Sequence, residues 1–262
     1  MTYFFLITVW FLGLAIGSFV NSLAWRLYEK KTLKGRSVCP NCGHNLAWYD
    51  NIPLLSFVLL KAKCRYCSQQ ISWQYPLVEF ITASLFTLAF YYNPLFPYFA
   101  TNDVLEAGLT LIRNWLLIAI LTTIFVMDLR WYVIVDKVSL PASVIILAIN
   151  LYLGLPWQNL ALAGIIGGGF FLLQFVVSRG KWIGGGDIRL GLLMGLTLGW
   201  PQVAVALFLA YILGSIYGVL FIILGKKDLQ AKVPFGTFLS LGTLITLFWG
   251  QQILNWYLGW VL

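Results

Sequence analysis

The chain has 262 residues, 60% of them hydrophobic and only 10% charged, with a mean hydropathy of +0.85. Soluble globular domains carry about 25% charged residues, so this composition excludes an ordinary soluble domain; recurring apolar stretches of spanning length indicate an all-α polytopic membrane protein in a lipid bilayer. The net charge of +8 is no sign of a nucleic-acid partner, because the basic residues cluster where apolar stretches end, the positive-inside pattern.

Hydropathy predicts about eight transmembrane helices, near 3–25, 76–98, 107–128, 138–155, 159–178, 187–199, 201–225 and 235–259. Met1-Thr2-Tyr3 offers no basic segment before the first apolar stretch, which is therefore read as a retained helix, not a signal peptide. The first loop (26–75) holds Arg26, Lys30, Lys31, Lys34, Arg36, Lys61, Lys63 and Arg65 against two acids, Glu29 and Asp50, and is expected to be cytoplasmic. With eight alternating spans, Arg130, Lys137, Arg179, Lys181, Arg189, Lys226, Lys227 and Lys232 fall on that same side. Only Arg113, with Asp103 and Glu106, falls outside. Sixteen of the seventeen Lys and Arg residues then share one face, and both termini point outward. The sixth helix is short, and Pro201 separates it from the seventh.

All four cysteines lie in the first loop, as Cys39-Pro40-Asn41-Cys42 and Cys64-Arg65-Tyr66-Cys67. Two C-x-x-C pairs supply four thiolates, the ligand set of a closed tetrahedral Zn²⁺ site. Two disulfides or a redox pair are the alternatives, and a reducing cytoplasmic loop disfavours the disulfides. The metal is expected to fold a polar loop too small to build a core, not to catalyse. Gly43 permits a left-handed turn after the first pair; His44, beside Cys42, is an alternative ligand but is read as a satisfied or solvated side chain.

Two acids end or begin apolar runs: Asp128 at the close of the third helix and Asp187 after Gly184, Gly185 and Gly186. A carboxylate is costly in a bilayer, so an intramembrane acid is a functional candidate. The topology places both at cytoplasmic helix ends, at one depth, and permits them to share a proton as an aspartic-protease pair does. Asp187, Gly191, Gly195 and Gly199 recur every four residues, a small-residue stripe that lets another helix approach. The helix ending at Asp128 is the expected partner, with generic packing as the alternative; Gly164, Gly168, Gly214 and Gly218 share the spacing without an acid. The glycines at 184–186 suit either pairing with an extended substrate or a plain flexible turn. Asp136, near Ser139 and Pro141, is a candidate helix cap. Glu79 is expected in the first turn of the second helix, where it complements the dipole, or facing the site.

Together these segments resemble the type IV prepilin peptidases, or prepilin leader peptidase/N-methyltransferases, of the GxGD intramembrane aspartic proteases. The resemblance covers nearly the whole chain: Gly17-Ser18-Phe19-Val20-Asn21 through Arg26, the two cysteine pairs with Asn51-Ile52-Pro53-Leu54-Leu55-Ser56 between them, Ile71 through Glu79, the spacing of Asp128, Asp136 and Pro141, Gly184-Gly185-Gly186-Asp187, and Pro234-Phe235-Gly236. Arg130 replaces a frequent acid, Val135 a usual proline and Ser68 a frequent glycine; no catalytic carboxylate is lost.

The resemblance implies catalysis by Asp128 and Asp187, with Gly184–Gly186, Asp136 and Glu79 in support. It implies prepilin and pseudopilin precursors as partners, cut after a basic leader at the cytoplasmic face of the inner membrane. Region 1–98, with its cysteine loop, would hold any methyltransferase function using S-adenosylmethionine, and region 99–262 the peptidase. No methyl-donor motif is recognisable. A transporter would instead need acids at mid-bilayer and inverted repeats; a zinc-loop scaffold would leave the paired acids unexplained; other GxGD proteases do not require the cysteine loop.

Overall fold

A computed structural model describes residues 2–93, 104–224 and 233–261. The described residues form α-helices, a 3-10 turn at Trp48–Asn51 and two isolated β-bridges, with no β-strand. The helices are α1 (Thr2–Tyr28), α2 (Leu55–Leu59), α3 (Gln74–Tyr91), α4 (Val104–Trp131), α5 (Asp136–Tyr152), α6 (Trp157–Ser178), α7 (Gly185–Leu198), α8 (Gln202–Ile223) and α9 (Phe235–Val261).

Each of the eight predicted helices coincides with an observed one. Five of them, α1, α4, α6, α8 and α9, are long and apolar enough to cross a membrane, so the chain is a multi-pass membrane protein. The count of eight spans does not carry over directly. α3, α5 and α7 have 18, 17 and 14 residues. At ~1.5 Å per residue α7 is about 21 Å long, short of a hydrocarbon core of about 30 Å. α3 stops at Tyr91, earlier than predicted, while α4 continues one turn past the expected end at Asp128. Residues 94–98 of the second predicted helix, Asp103, residue 225, Lys226, Lys227 and Lys232 lie outside the described residues.

Contacts divide the chain into two units, Met1–Thr123 and Ile124–Leu262, with the division inside α4. In the first unit α1 and α3 run antiparallel, and glycines bring them together. A methyl on Gly13 would lie 2.5 Å from the Ala83 Cα, and one on Gly17 would lie 2.6 Å from the Glu79 Cα. One turn further, Asn21 donates to the Tyr75 carbonyl at 3.1 Å and accepts from Gln74 at 3.3 Å.

In the second unit α7 is central, packed on α5, α6 and α9, with Leu190, Leu193 and Met194 fully buried. Its glycine stripe does pack on a helix, but that helix is α6 and not the one ending at Asp128. Cβ atoms built at Gly191 and Gly195 would run into the Gly167 and Ala163 carbonyls of α6. Gly164 and Gly168 are the other half of this contact, facing Leu192, Leu196 and Ile188. Gly199 leaves the stripe and ends α7 with φ +71°. Several buried hydroxyls on these apolar helices donate to the carbonyl four residues back, as Thr197 does to Leu193 at 2.7 Å and Thr243 to Leu239 at 2.7 Å, whereas Thr246 on α9 has no partner among the described residues. Such bonds keep polar atoms satisfied where no water reaches.

Candidate active site

Asp128 lies in the last turn of α4 and is 5% exposed. Its Oδ2 accepts the Thr237 backbone N–H at 2.7 Å and the Thr237 hydroxyl at 3.2 Å, and the Gly236 N–H adds a further bond. Thr237 is the third residue of α9. The carboxylate therefore occupies the N-terminus of a helix far away in sequence, where unpaired N–H groups and the helix dipole favour negative charge.

Asp187 is the third residue of α7 and is 8% exposed. Its Oδ2 accepts the Gly184 N–H at 3.1 Å, the side chain reaching back over its own helix start as in half of a capping box. Each buried carboxylate is thus offset by a helix N-terminus. Their neighbours Gly186 and Gly236 both abut the Ile134 side chain, so the two helix starts meet at one residue.

Ile134, in the link between α4 and α5, sits between these helix starts. A methyl on Gly186 would lie 2.7 Å from its Cβ. A methyl on Gly236 would lie 2.6 Å from its Cδ1 and 3.1 Å from the Asp128 Oδ2. Of the three glycines before Asp187, then, Gly186 is demanded by packing; Gly184 is extended (φ −80°, ψ 155°) as the N-cap, and Gly185 faces open space. Behind α9, Phe235 packs edge-on against Phe171 and Tyr211, and Tyr211 exchanges hydrogen bonds with Gln174 at 3.0 and 3.1 Å. These contacts fix the start of the helix that holds Asp128.

The supporting acids sit elsewhere than expected. Asp136 is the first residue of α5, not a cap before it, and it forms an ion pair with Arg189 of α7. Pro141 falls inside α5. Glu79 lies beyond the first turn of α3, in the first unit, buried, where it accepts the Leu54 N–H at 2.8 Å and a bond from Ser18.

The cysteine loop folds as two matching turns. Cys39 N–H bonds the His44 carbonyl at 3.0 Å and Gly43 N–H bonds Cys39 at 2.9 Å; Cys64 to Gln69 (2.8 Å) and Ser68 to Cys64 (2.9 Å) repeat the pattern. Gly43 (φ +69°) and Ser68 (φ +59°) occupy equivalent left-handed positions. Serine there costs about 1–2 kcal/mol that glycine would not. The four cysteines are free thiols, and their Sγ atoms lie within 4.8 Å of one another, Cys39 and Cys67 at 3.9 Å. Four sulfurs about 2.3 Å from one ion stand roughly 3.8 Å apart in a tetrahedron, so this set fits a single metal ion. The Gln69 N–H and the Asn41 amide bring the Cys67 thiol down to about 7, and burial pushes Cys64 up. His44 packs against the Tyr66 ring instead, with ring centroids 3.7 Å apart and the planes tilted by 31°. Asp50 ties the loop together through Arg65 (2.8 Å) and Tyr66 (3.1 Å).

Residues 11–93 match the Bacterial Peptidase A24 N-terminal domain, and residues 115–219 match the Type IV leader peptidase family. A prepilin leader peptidase/N-methyltransferase of Aeromonas salmonicida is 32% identical over 238 residues, covering 87% of this chain and 76% of the relative. The chain belongs to the prepilin leader peptidase/N-methyltransferase family. Proteins of that same name from Legionella pneumophila and Bacillus subtilis are each 28% identical, covering 98% and 94% of this chain and 96% and 95% of the relatives. No solved structure gives a significant match. Against the family's motifs, Thr237, Ile134 and Arg189 are the residues that sequence reasoning passed over. Thr237 had a readable signal, a threonine following Pro234-Phe235-Gly236 at a helix start; Ile134 had none.

Proposed function

We propose that the chain is an aspartic endopeptidase that removes the basic leader from type IV prepilins and pseudopilins, and then methylates the new amino terminus. The observation that carries the peptidase reading is the pair of buried carboxylates, Asp128 and Asp187, each held by a helix N-terminus within the second unit. Two neighbouring carboxylates cannot easily both ionise, so the pair holds one proton. The ionised member takes a proton from water, whose oxygen attacks the scissile carbonyl carbon. The protonated member gives its proton to the carbonyl oxygen. Collapse of the resulting diol breaks the C–N bond, and the amine leaves with a proton from the pair.

The site is assigned to the cytoplasmic face of the inner membrane. The positive-inside distribution supports this, because a basic leader is retained on that side by the same rule. The peptidase lies in region 99–262, with Gly186 giving Ile134 room and Asp136 bracing α7 through Arg189. Zn²⁺ is the ion assigned to Cys39, Cys42, Cys64 and Cys67, holding the loop's fold. Methyl transfer, with S-adenosylmethionine as donor, is assigned to region 1–98; the relatives' names support it. Glu79 serves that region as a structural acid.

The test is cleavage of a pilin-like precursor in membranes by wild type, Asp128→Asn and Asp187→Asn at matched expression, with the product's amino terminus read by mass spectrometry. Cleavage after the leader that is lost in both variants supports the pair. Cleavage surviving in either one overturns it. A wild-type product lacking the mass of one added methyl group would overturn the methylation reading alone.

A further inference from the structure

Helix α2 shows an apolar face that the described residues leave uncovered. Leu55, Val58 and Leu59 share one side of its single turn and are exposed, Val58 at 70% and Leu59 at 69%. Isolated exposed apolar residues are ordinary, whereas a contiguous set marks an interaction surface. The helix cannot roll to hide this face. Ser56 on another side donates to the Tyr49 carbonyl at 2.6 Å, and Phe57 packs edge-on against Trp73 at 4.9 Å.

Two further observations say what covers it. The first is depth. The Leu54 N–H that leads into α2 donates to Glu79 Oε2 at 2.8 Å. Glu79 lies five residues past the first residue of α3, about 7 Å along its axis at ~1.5 Å per residue. Around that level α3 exposes Leu77, Phe80 and Ile81, apolar surface suited to acyl chains. The chain is forced to turn there: Leu54 has φ +58° and ψ −48°, and Leu55 N–H closes back on the Pro53 carbonyl at 2.6 Å. Leucine rarely adopts that conformation, and here the buried carboxylate holds it. Interfacial helices sink their apolar face about 5–10 Å into the headgroup boundary, and the stretch of α3 from its start to Glu79 is of that order.

The second is charge. Lys61 and Lys63 follow α2 directly and are exposed, and Trp73 at the start of α3 is 75% exposed. Basic side chains bordering an apolar face, with a nearby tryptophan, complement anionic headgroups over acyl chains.

We propose that α2 and Trp73 are an interfacial anchor that lays the cysteine loop on anionic lipid at the membrane surface where α1 ends and α3 begins. The anchor rests on the membrane reading of α1 and α3, not on the peptidase assignment. The test places the photo-crosslinker benzoylphenylalanine at Val58 of the full chain, in nanodiscs with phosphatidylglycerol. Adducts are identified by intact mass, with precursor present and absent. Phospholipid adducts are expected, with yields falling several-fold in phosphatidylcholine alone or with Lys61→Glu/Lys63→Glu. Adducts to the precursor or to a second copy of the chain, or no adduct, overturn the anchor. Equal lipid yields in neutral nanodiscs overturn its electrostatic part. Metal content confirms that each variant has kept its loop fold, and precursor cleavage recorded in the same nanodiscs separates a failed anchor from a failed peptidase.

Discussion

Gly236→Ala tests the active-site geometry most directly. The added methyl would lie 2.6 Å from the Ile134 Cδ1 and 3.1 Å from the Asp128 Oδ2. The first contact needs roughly 1 Å of clearance, carbon atoms packing at about 3.5–4.0 Å. Cδ1 is the far end of a side chain, but the same side chain lies over Gly186, with Cγ1 and Cδ1 each 3.3 Å from the position of a Cβ there. The second contact asks the carboxylate to retreat a few tenths of an ångström from a position set by the 2.7 Å bond to Thr237. Displacement of a reacting group by about 1 Å costs on the order of 10²-fold in rate, about 2.7 kcal/mol at 1.36 kcal/mol per tenfold. Gly236→Ala should therefore lower kcat/KM for precursor cleavage by about 10- to 100-fold.

Stability should move less. Overpacking costs about 1–3 kcal/mol, and replacing a helical glycine returns about 1 kcal/mol. The assay is initial cleavage rate in membranes normalised to folded protein, with melting temperature alongside. Ile134→Val removes Cδ1, so Gly236→Ala/Ile134→Val should recover the part of the loss that passes through Ile134. What remains reports the contact with Asp128. Gly236→Ala cleaving within about twofold of wild type would refute the close packing of α9 against Asp128.

Gly195→Ala sets a side chain against the Ala163 backbone, which cannot rotate away, and should sharply reduce folded protein in membranes. Gly169→Ala, facing open space on α6, should not; equal abundance of the two would contradict the α6–α7 packing. Asp136→Asn or Arg189→Gln removes one partner of a half-exposed ion pair, worth about 0–1 kcal/mol. Each should keep most cleavage activity, and loss as complete as in Asp128→Asn would move Asp136 into the catalytic machinery. Elemental analysis of the purified chain should find one zinc per chain, lost in Cys39→Ser and Cys64→Ser; metal retained by both would exclude the four-thiol site.

The sequence showed most clearly those features whose chemistry is local. Two C-x-x-C pairs carry their ligand geometry within four residues each, and the thiols do converge. Helix positions followed from hydropathy, because lipid demands apolar surface and satisfied backbone along every span. Their ends were less legible. α4 runs past Asp128, and Asp136 begins α5 with its carboxylate paired to Arg189, a residue that hydropathy counts only as a positive charge.

The glycine stripe shows the limit of periodicity. Spacing of four says that a helix will come close, but it does not say which one, because every apolar helix offers carbonyls and small residues alike. A partner was hinted at by Gly164 and Gly168, which repeat the spacing on α6, but they face Leu192, Leu196 and Ile188; the backbones meet one residue away, at Ala163 and Gly167. The support of Asp128 was harder still to read, since it depends on a hydrogen bond across 109 residues to Thr237. The physical demand behind it was nonetheless visible. A buried carboxylate at the end of one apolar helix needs donors, apolar side chains supply none, and the N–H groups that remain unpaired within a bilayer are those at helix starts. Of the helix starts in the second unit, α7 is taken by its own Asp187, and α9, with Gly236 leaving room and Thr237 adding a hydroxyl, is the one that receives Asp128.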